Sequence, residues 1–157
     1  MADKIITSEK GELIKILLAE DNPDDILITK KALKEAQMVN QLYIVRDGEE
    51  ACAFLKHEGQ YQDPATSPRP GLILLDINMP KLNGLEVLRR IKSDPELKRI
   101  PVVMLTSSKR DEDVVTGYDS GCNSFLQKPV EFERFVELVK QMGLYWGLLN
   151  VHTRDHA

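Results

Sequence analysis

The chain predicts an α/β domain, a doubly wound five-stranded parallel sheet with helices on both faces. Three observations predict it. Short continuous apolar runs read as strands buried on both sides; amphipathic stretches alternate with them; and acidic or hydroxyl residues stand where several of the runs end. Right-handed crossovers between such strands distribute the helices to both faces.

Residues 1–12 are mixed and polar and read as a loosely ordered leader; the domain is expected over 13–142 and an extension, apolar then polar, over 143–157. Ile14 to Ala19 is the first strand and ends in Glu20-Asp21. Pro23-Asp24-Asp25 then opens a helix, with Ile28, Ala32, Leu33 and Ala36 as most of its buried stripe. Gln41 to Arg46 is the second strand. Asp47-Gly48-Glu49-Glu50 has the form of a capping box and starts a helix through Ala51, Phe54 and Leu55. Residues 58–70, rich in Pro, Asp and Ser, form a long surface loop.

The third strand, Leu72 to Leu75, ends in Asp76 and is followed by Ile77-Asn78-Met79-Pro80 and Gly84. Leu85, Leu88 and Ile91 mark the third helix, which ends near Asp94-Pro95 because a residue before proline disfavours helix. Pro101 to Leu105 is the fourth strand and leads into Thr106; a helix follows around Asp111 to Asp119. Ser124 to Gln127 is a short fifth strand before Lys128-Pro129, and a long final helix starts from Val130. Its Phe132, Phe135, Val136, Val139 and Met142 make one apolar stripe, and Leu138, Tyr145, Leu149 and neighbouring Trp146 lie on or near a second. Two stripes exceed what one core contact requires, so self-association through the fourth helix, fifth strand, fifth helix and the tail is expected. The alternative is that Gly143 breaks the helix and Leu144 to Leu149 folds back on its own domain.

Length and composition narrow the function classes. A chain of 157 residues with 42% hydrophobic content supports one ordinary core. A formal charge of −4 and a pI near 5.4 argue against a protein whose main task is gripping nucleic acid, which needs a basic face. Cys52 and Cys122 lack the spacing of a zinc site or a disulfide scaffold, and no run has the length of a membrane span or the pattern of a signal peptide. A reducing cytoplasm is the expected compartment. His57, His152 and His156 lie outside the strand-end segments and read as exposed and nonfunctional.

In open α/β sheets, ligands bind outside the carboxyl ends of the strands at the switch point, which is where Glu20, Asp21 and Asp76 are expected to converge. Crowded carboxylates repel, and a hard divalent cation with oxygen ligands relieves the repulsion. With Thr106 ending the fourth strand and Lys128-Pro129 the fifth, the chain resembles a response-regulator receiver domain of two-component signalling over 13–142. The acidic pair, the LLDxxMP run, the strand-end Thr and the KP dipeptide carry that resemblance together. It implies the flavodoxin/CheY-like strand order 2-1-3-4-5. The long loop before the third strand and the Gly-Leu-Tyr-Trp tail also resemble the single-domain response regulators that accompany phytochromes, whose phosphodonor is a light-regulated histidine kinase.

The resemblance implies roles for named residues. Asp76 is the phosphoacceptor, and Asp21, Asp76 and the carbonyl of Asn78 ligate Mg²⁺, with Glu20 acting through water. Lys128 pairs with Asp76 at rest and with the phosphoryl group afterwards, while Thr106 reorients toward a phosphoryl oxygen. Thr106, Phe125 and Pro129 form the switch, and a cis bond before Pro129 aims Lys128 inward. Many receivers carry a tyrosine where this chain has Phe125, so coupling there is steric. Asn78 and Ser108 flank the expected phosphate and influence its lifetime. No output domain is expected after the fifth helix; the signal passes by contact.

Three rivals share parts of this pattern. A haloacid-dehalogenase-like Mg²⁺ phosphatase also uses a strand-end Asp, but needs a second Asp as acid/base where this chain has Asn78. A nucleotide or flavin module of the same architecture needs a glycine-rich loop after the first strand, where Glu20-Asp21 stands instead. A pseudo-receiver that signals without phosphate has no need of the complete residue set.

Overall fold

The computed structural model describes residues 14–36, 42–117 and 124–142. The leader, Gln41, Asp119, Cys122, His152, His156 and the stretch from Gly143 with Tyr145, Trp146 and Leu149 lie outside the described residues. Strands β1 (Ile16–Ala19), β2 (Leu42–Val45), β3 (Leu72–Asp76), β4 (Val102–Thr106) and β5 (Ser124–Gln127) alternate with helices α1 (Pro23–Glu35), α2 (Gly48–Lys56), α3 (Gly84–Ser93), α4 (Lys109–Gly117) and α5 (Phe132–Gln141). All neighbouring strands pair in parallel, in the order β2-β1-β3-β4-β5. The order reverses at β1 and β3, and the crevice opens over their carboxyl ends.

Every residue of β1, β3 and β4 is buried, which is why these segments read as unbroken apolar runs. Successive side chains feed opposite layers. Leu17, Ile73, Leu75 and Met104 join Phe54, Val87 and Leu88 on one face; Leu18, Leu74, Val103 and Leu105 join Leu33, Phe135 and Val139 on the other. The outer strands β2 and β5 are only partly buried, so β5 tolerates Ser124 and Gln127.

The helix starts follow local chemistry. The Asn22 side chain caps α1 by accepting from the amides of Asp24 and Asp25. Asp47 caps α2, accepting from the Glu50 amide at 2.8 Å, but Glu50 returns to the amide of Arg46, one residue before the cap, rather than closing the predicted box. At the end of α3, Asp94 turns extended before Pro95 as the sequence predicts.

Three expectations are corrected. Ile28 is exposed, and the buried face of α1 is Ile26, Thr29, Ala32 and Leu33. Leu138, assigned to a second stripe of the final helix, is buried beside Phe135 and Val139 in the domain's own core, because one helix face can span all three positions. His57 is not exposed. It is half-buried in a left-handed conformation (φ 56°) that closes α2, and its Nε2 lies 2.8 Å from the Ser67 carbonyl oxygen.

The long loop is correspondingly anchored rather than loose. It holds a short 3₁₀ turn (Gly59–Tyr61), buries Ser67, and joins Tyr43, Phe54 and Tyr61 in successive ring contacts of 5.8 and 5.3 Å between centroids. The Tyr61 hydroxyl donates to Glu50 at 2.5 Å, and burial together with that carboxylate pushes the phenol up to about 12.

Candidate functional site

Asp76 is the last residue of β3 and is 1% exposed; Glu20, just past β1, and Thr106, the last residue of β4, are each 0% exposed. The strand register explains the convergence. Ala19 lies beside Leu75 and Asp76 beside Leu105, so the residues that follow these pairs emerge side by side at one sheet edge. Gly84 permits the following chain to turn tightly over that edge: a Cβ there would stand 2.3 Å from the Asp76 carbonyl oxygen.

Carboxylate oxygens of Glu20, Asp21 and Asp76 all lie within 4.8 Å of one another. Glu20 and Asp76 are buried and Asp21 is exposed, so the cluster has a sealed floor and an open side. Burial, then the hydrogen bond and charge of Asp76, push the Glu20 carboxyl up to about 7, against the opposing pull of Lys128. An all-oxygen set of this kind, with repulsion left over, suits a hard divalent cation and offers nothing to a soft one.

Lys128 enters from the end of β5 after its amide bonds the Thr106 carbonyl at 2.6 Å, and its peptide bond to Pro129 is cis. Its Nζ lies 2.9 Å from Asp25, 3.1 Å from Glu20 and 3.3 Å from Asp76. Burial alone would lower the ammonium's pKa, but the bond to Asp25 and the charges of Asp76 and Glu20 overcome that and hold it above the usual lysine value. Asp25 was missed from sequence. It sits in the first turn of α1, where an aspartate is ordinarily read as a helix-dipole residue.

The remaining sequence candidates surround this centre. The Thr106 hydroxyl donates to the Leu126 carbonyl oxygen at 3.5 Å. The Asn78 amide donates to Asp76 at 3.3 Å, while its side-chain amide reaches Asp111. Ser108 accepts from the Asp111 amide at 3.1 Å and so caps the first turn of α4, which begins at Lys109 rather than Asp111. Phe125 on β5 is 36% exposed, and Val114 on α4 is 43% exposed. Pro129 is exposed beside the cleft.

The arrangement can carry a nucleophilic carboxylate beside a cation site and an ammonium, the set needed to load an anionic group onto Asp76. Comparison with known proteins identifies the family. Residues 16–140 match the family model described as response regulator receiver domain. Response regulator Rcp1 of Synechocystis sp. (strain ATCC 27184 / PCC 6803 / Kazusa) is 43% identical over 131 residues, covering 83% of this chain and 87% of that protein. Among solved structures, the bacteriophytochrome response regulator RtBRR is similar with a TM-score of 0.79 at 40% identity, over 91% of this chain and 90% of the other. The phosphorylated cyanobacterial phytochrome response regulator RcpA gives 0.68 at 44% identity, over 85% and 93%.

Proposed function

The chain belongs to the response-regulator receiver family, and from that membership we propose that Asp76 takes a phosphoryl group from a histidine kinase in a Mg²⁺-dependent reaction, acting in signalling rather than as an enzyme. One observation carries the reading: the buried Asp76 carboxylate belongs to an acidic cluster with Glu20 and Asp21 and lies 3.3 Å from the Lys128 ammonium. Glu20, Asp21, Asp76 and the carbonyl of Asn78 are the groups that would hold the cation. When bound, it neutralises charge on the phosphoryl oxygens.

The protein's own residues account for the rest. An Asp76 oxygen attacks phosphorus, the bond from phosphorus to the kinase imidazole breaks, and the electron pair leaves with the imidazole. Lys128 offers a positive charge to the incoming oxygens, and the Asn78 amide offers a hydrogen bond from the loop above Asp76. Thr106 rotates from Leu126 to the new group, withdrawing from the β5 side and giving Phe125 room to move inward, with Pro129 following Lys128. Asn78 and Ser108 govern how readily water reaches the product.

The similarity to Rcp1 and to phytochrome response regulators favours a phytochrome-type kinase as donor, and cysteines without disulfide-scaffold spacing favour a reducing cytoplasm. Val114 and Phe125, exposed on α4 and β5, favour self-association through α4, β5 and α5, with residues 143–157 extending that surface. No helix among the described residues is long and apolar enough to cross a membrane.

The test is labelling by acetyl phosphate and by kinases. Asp76→Asn abolishes labelling while circular dichroism reports an unchanged fold, and a phytochrome kinase loads the wild type faster than unrelated kinases do. Persistent labelling of the variant refutes the acceptor assignment; equal rates from all kinases refute the phytochrome assignment alone.

A further inference from the structure

Asp111 lies outside the strand-end set, yet its side chain reaches across the mouth of the cleft. Its Oδ2 accepts from the Ser107 amide at 2.9 Å and from the Asn78 side-chain amide at 3.3 Å. One carboxylate oxygen thereby ties the loop after β3 to the loop after β4. Those loops flank Asp76, because the Asn78 amide donates to Asp76 and the Ile77 amide bonds Leu105 of β4. The Asp111 amide is held by Ser108 in turn, so the side chain is aimed by the first turn of α4.

A phosphoryl group on Asp76 brings three anionic oxygens into this same mouth. The Ser107 amide is the donor that β4 presents just past Thr106, and it is already bonded to an anion. Two anions compete for one N–H, and at such separations in a partly desolvated site they also repel. We propose that Asp111 is a rate-setting residue of the acceptor site, an internal anion that holds the Ser107 amide and the Asn78 side chain at rest and is displaced by the phosphoryl group. Asp111 exchanges only hydrogen bonds and keeps its charge, while bond making and breaking stay at phosphorus. Its release also unties α4 from β3, which connects loading of Asp76 to the surface bearing Val114.

The inference rests on Asp76 being the acceptor, and the experiment separates the two. Full-length wild type, Asp76→Asn, Asp111→Asn and Asp111→Ala are compared for acetyl phosphate labelling rate and for beryllofluoride affinity with Mg²⁺. Asp111→Asn keeps an oxygen for the Ser107 amide but removes the charge; it labels roughly three- to tenfold faster than wild type and binds beryllofluoride correspondingly tighter. Its rate also depends less on ionic strength, a change that a purely structural role would not produce. Asp111→Ala changes in the same direction and carries the test should the Asn variant lose its fold. Labelling at or below the wild-type rate in a folded Asp111 variant overturns the proposal, provided wild type labels and Asp76→Asn does not. Equal labelling of wild type and Asp76→Asn overturns the acceptor reading on which it rests.

Discussion

Lys128 is the only partner that Glu20, Asp25 and Asp76 are seen to share among the described residues, and its side chain is 11% exposed. Removing it leaves buried carboxylates facing one another without a counter-charge, a change that typically costs about 3–5 kcal/mol when a buried pair is broken. Lys128→Ala is therefore expected to unfold at lower urea concentration in chelator, and to recover part of the loss when Mg²⁺ is added. A variant as stable as wild type in chelator would mean that the ammonium is dispensable at rest. At this scale the sequence was informative where a residue ends a strand: Glu20, Asp21, Asp76, Thr106 and Lys128 all emerge at one edge. It was silent on Asp25 and Asp111. Both sit in first turns of helices, where aspartate has an ordinary local explanation, and only the tertiary arrangement brings them to Lys128 and Asn78.

The elements owe their placement to close backbone approaches as much as to apolar faces. Gly84 opens α3 directly against the chain that carries Asp76, and a Cβ there would also stand 2.8 Å from the Ile77 Cα. Gly84→Ala must shift backbone rather than a flexible side chain, so it is expected to destabilise by about 1–3 kcal/mol and to slow labelling of Asp76. Chemical denaturation and acetyl phosphate labelling measure both, and an unaffected labelling rate would show that the shift is absorbed within α3. The strand runs were legible because burial on both faces leaves only apolar residues to choose from. Helix phase was less so. In α1 the sequence Ile26-Leu27-Ile28-Thr29 offers several starting points for a stripe, and the structure selects Ile26 and Thr29 while leaving Leu27 64% exposed. In α5 a single face takes Phe135, Leu138 and Val139, so Leu138 belongs to the core-facing stripe rather than to a second one.

For the molecule as a whole, loading of Asp76 and association are expected to be linked, since Thr106 and Asp111 both reach from the acceptor region to β5 or α4. Light scattering with beryllofluoride and Mg²⁺ should report a larger mass than with either reagent missing; an unchanged mass would separate the switch from self-association. The sheet order was predictable once the strand-end pattern was recognised, whereas the surface that leaves the domain was not, because exposed residues such as Val114 and Phe125 carry no periodic signature of a partner. The gathering of Glu20, Asp25 and Asp76 around a single ammonium, with Asp21 beside Glu20 and Asp76, has a last effect that reaches beyond the cleft. Its surplus negative potential draws divalent ions inward and turns bare phosphate away, so the cleft acts as a charge filter whose capture rate fades as dissolved salt shortens the Debye length.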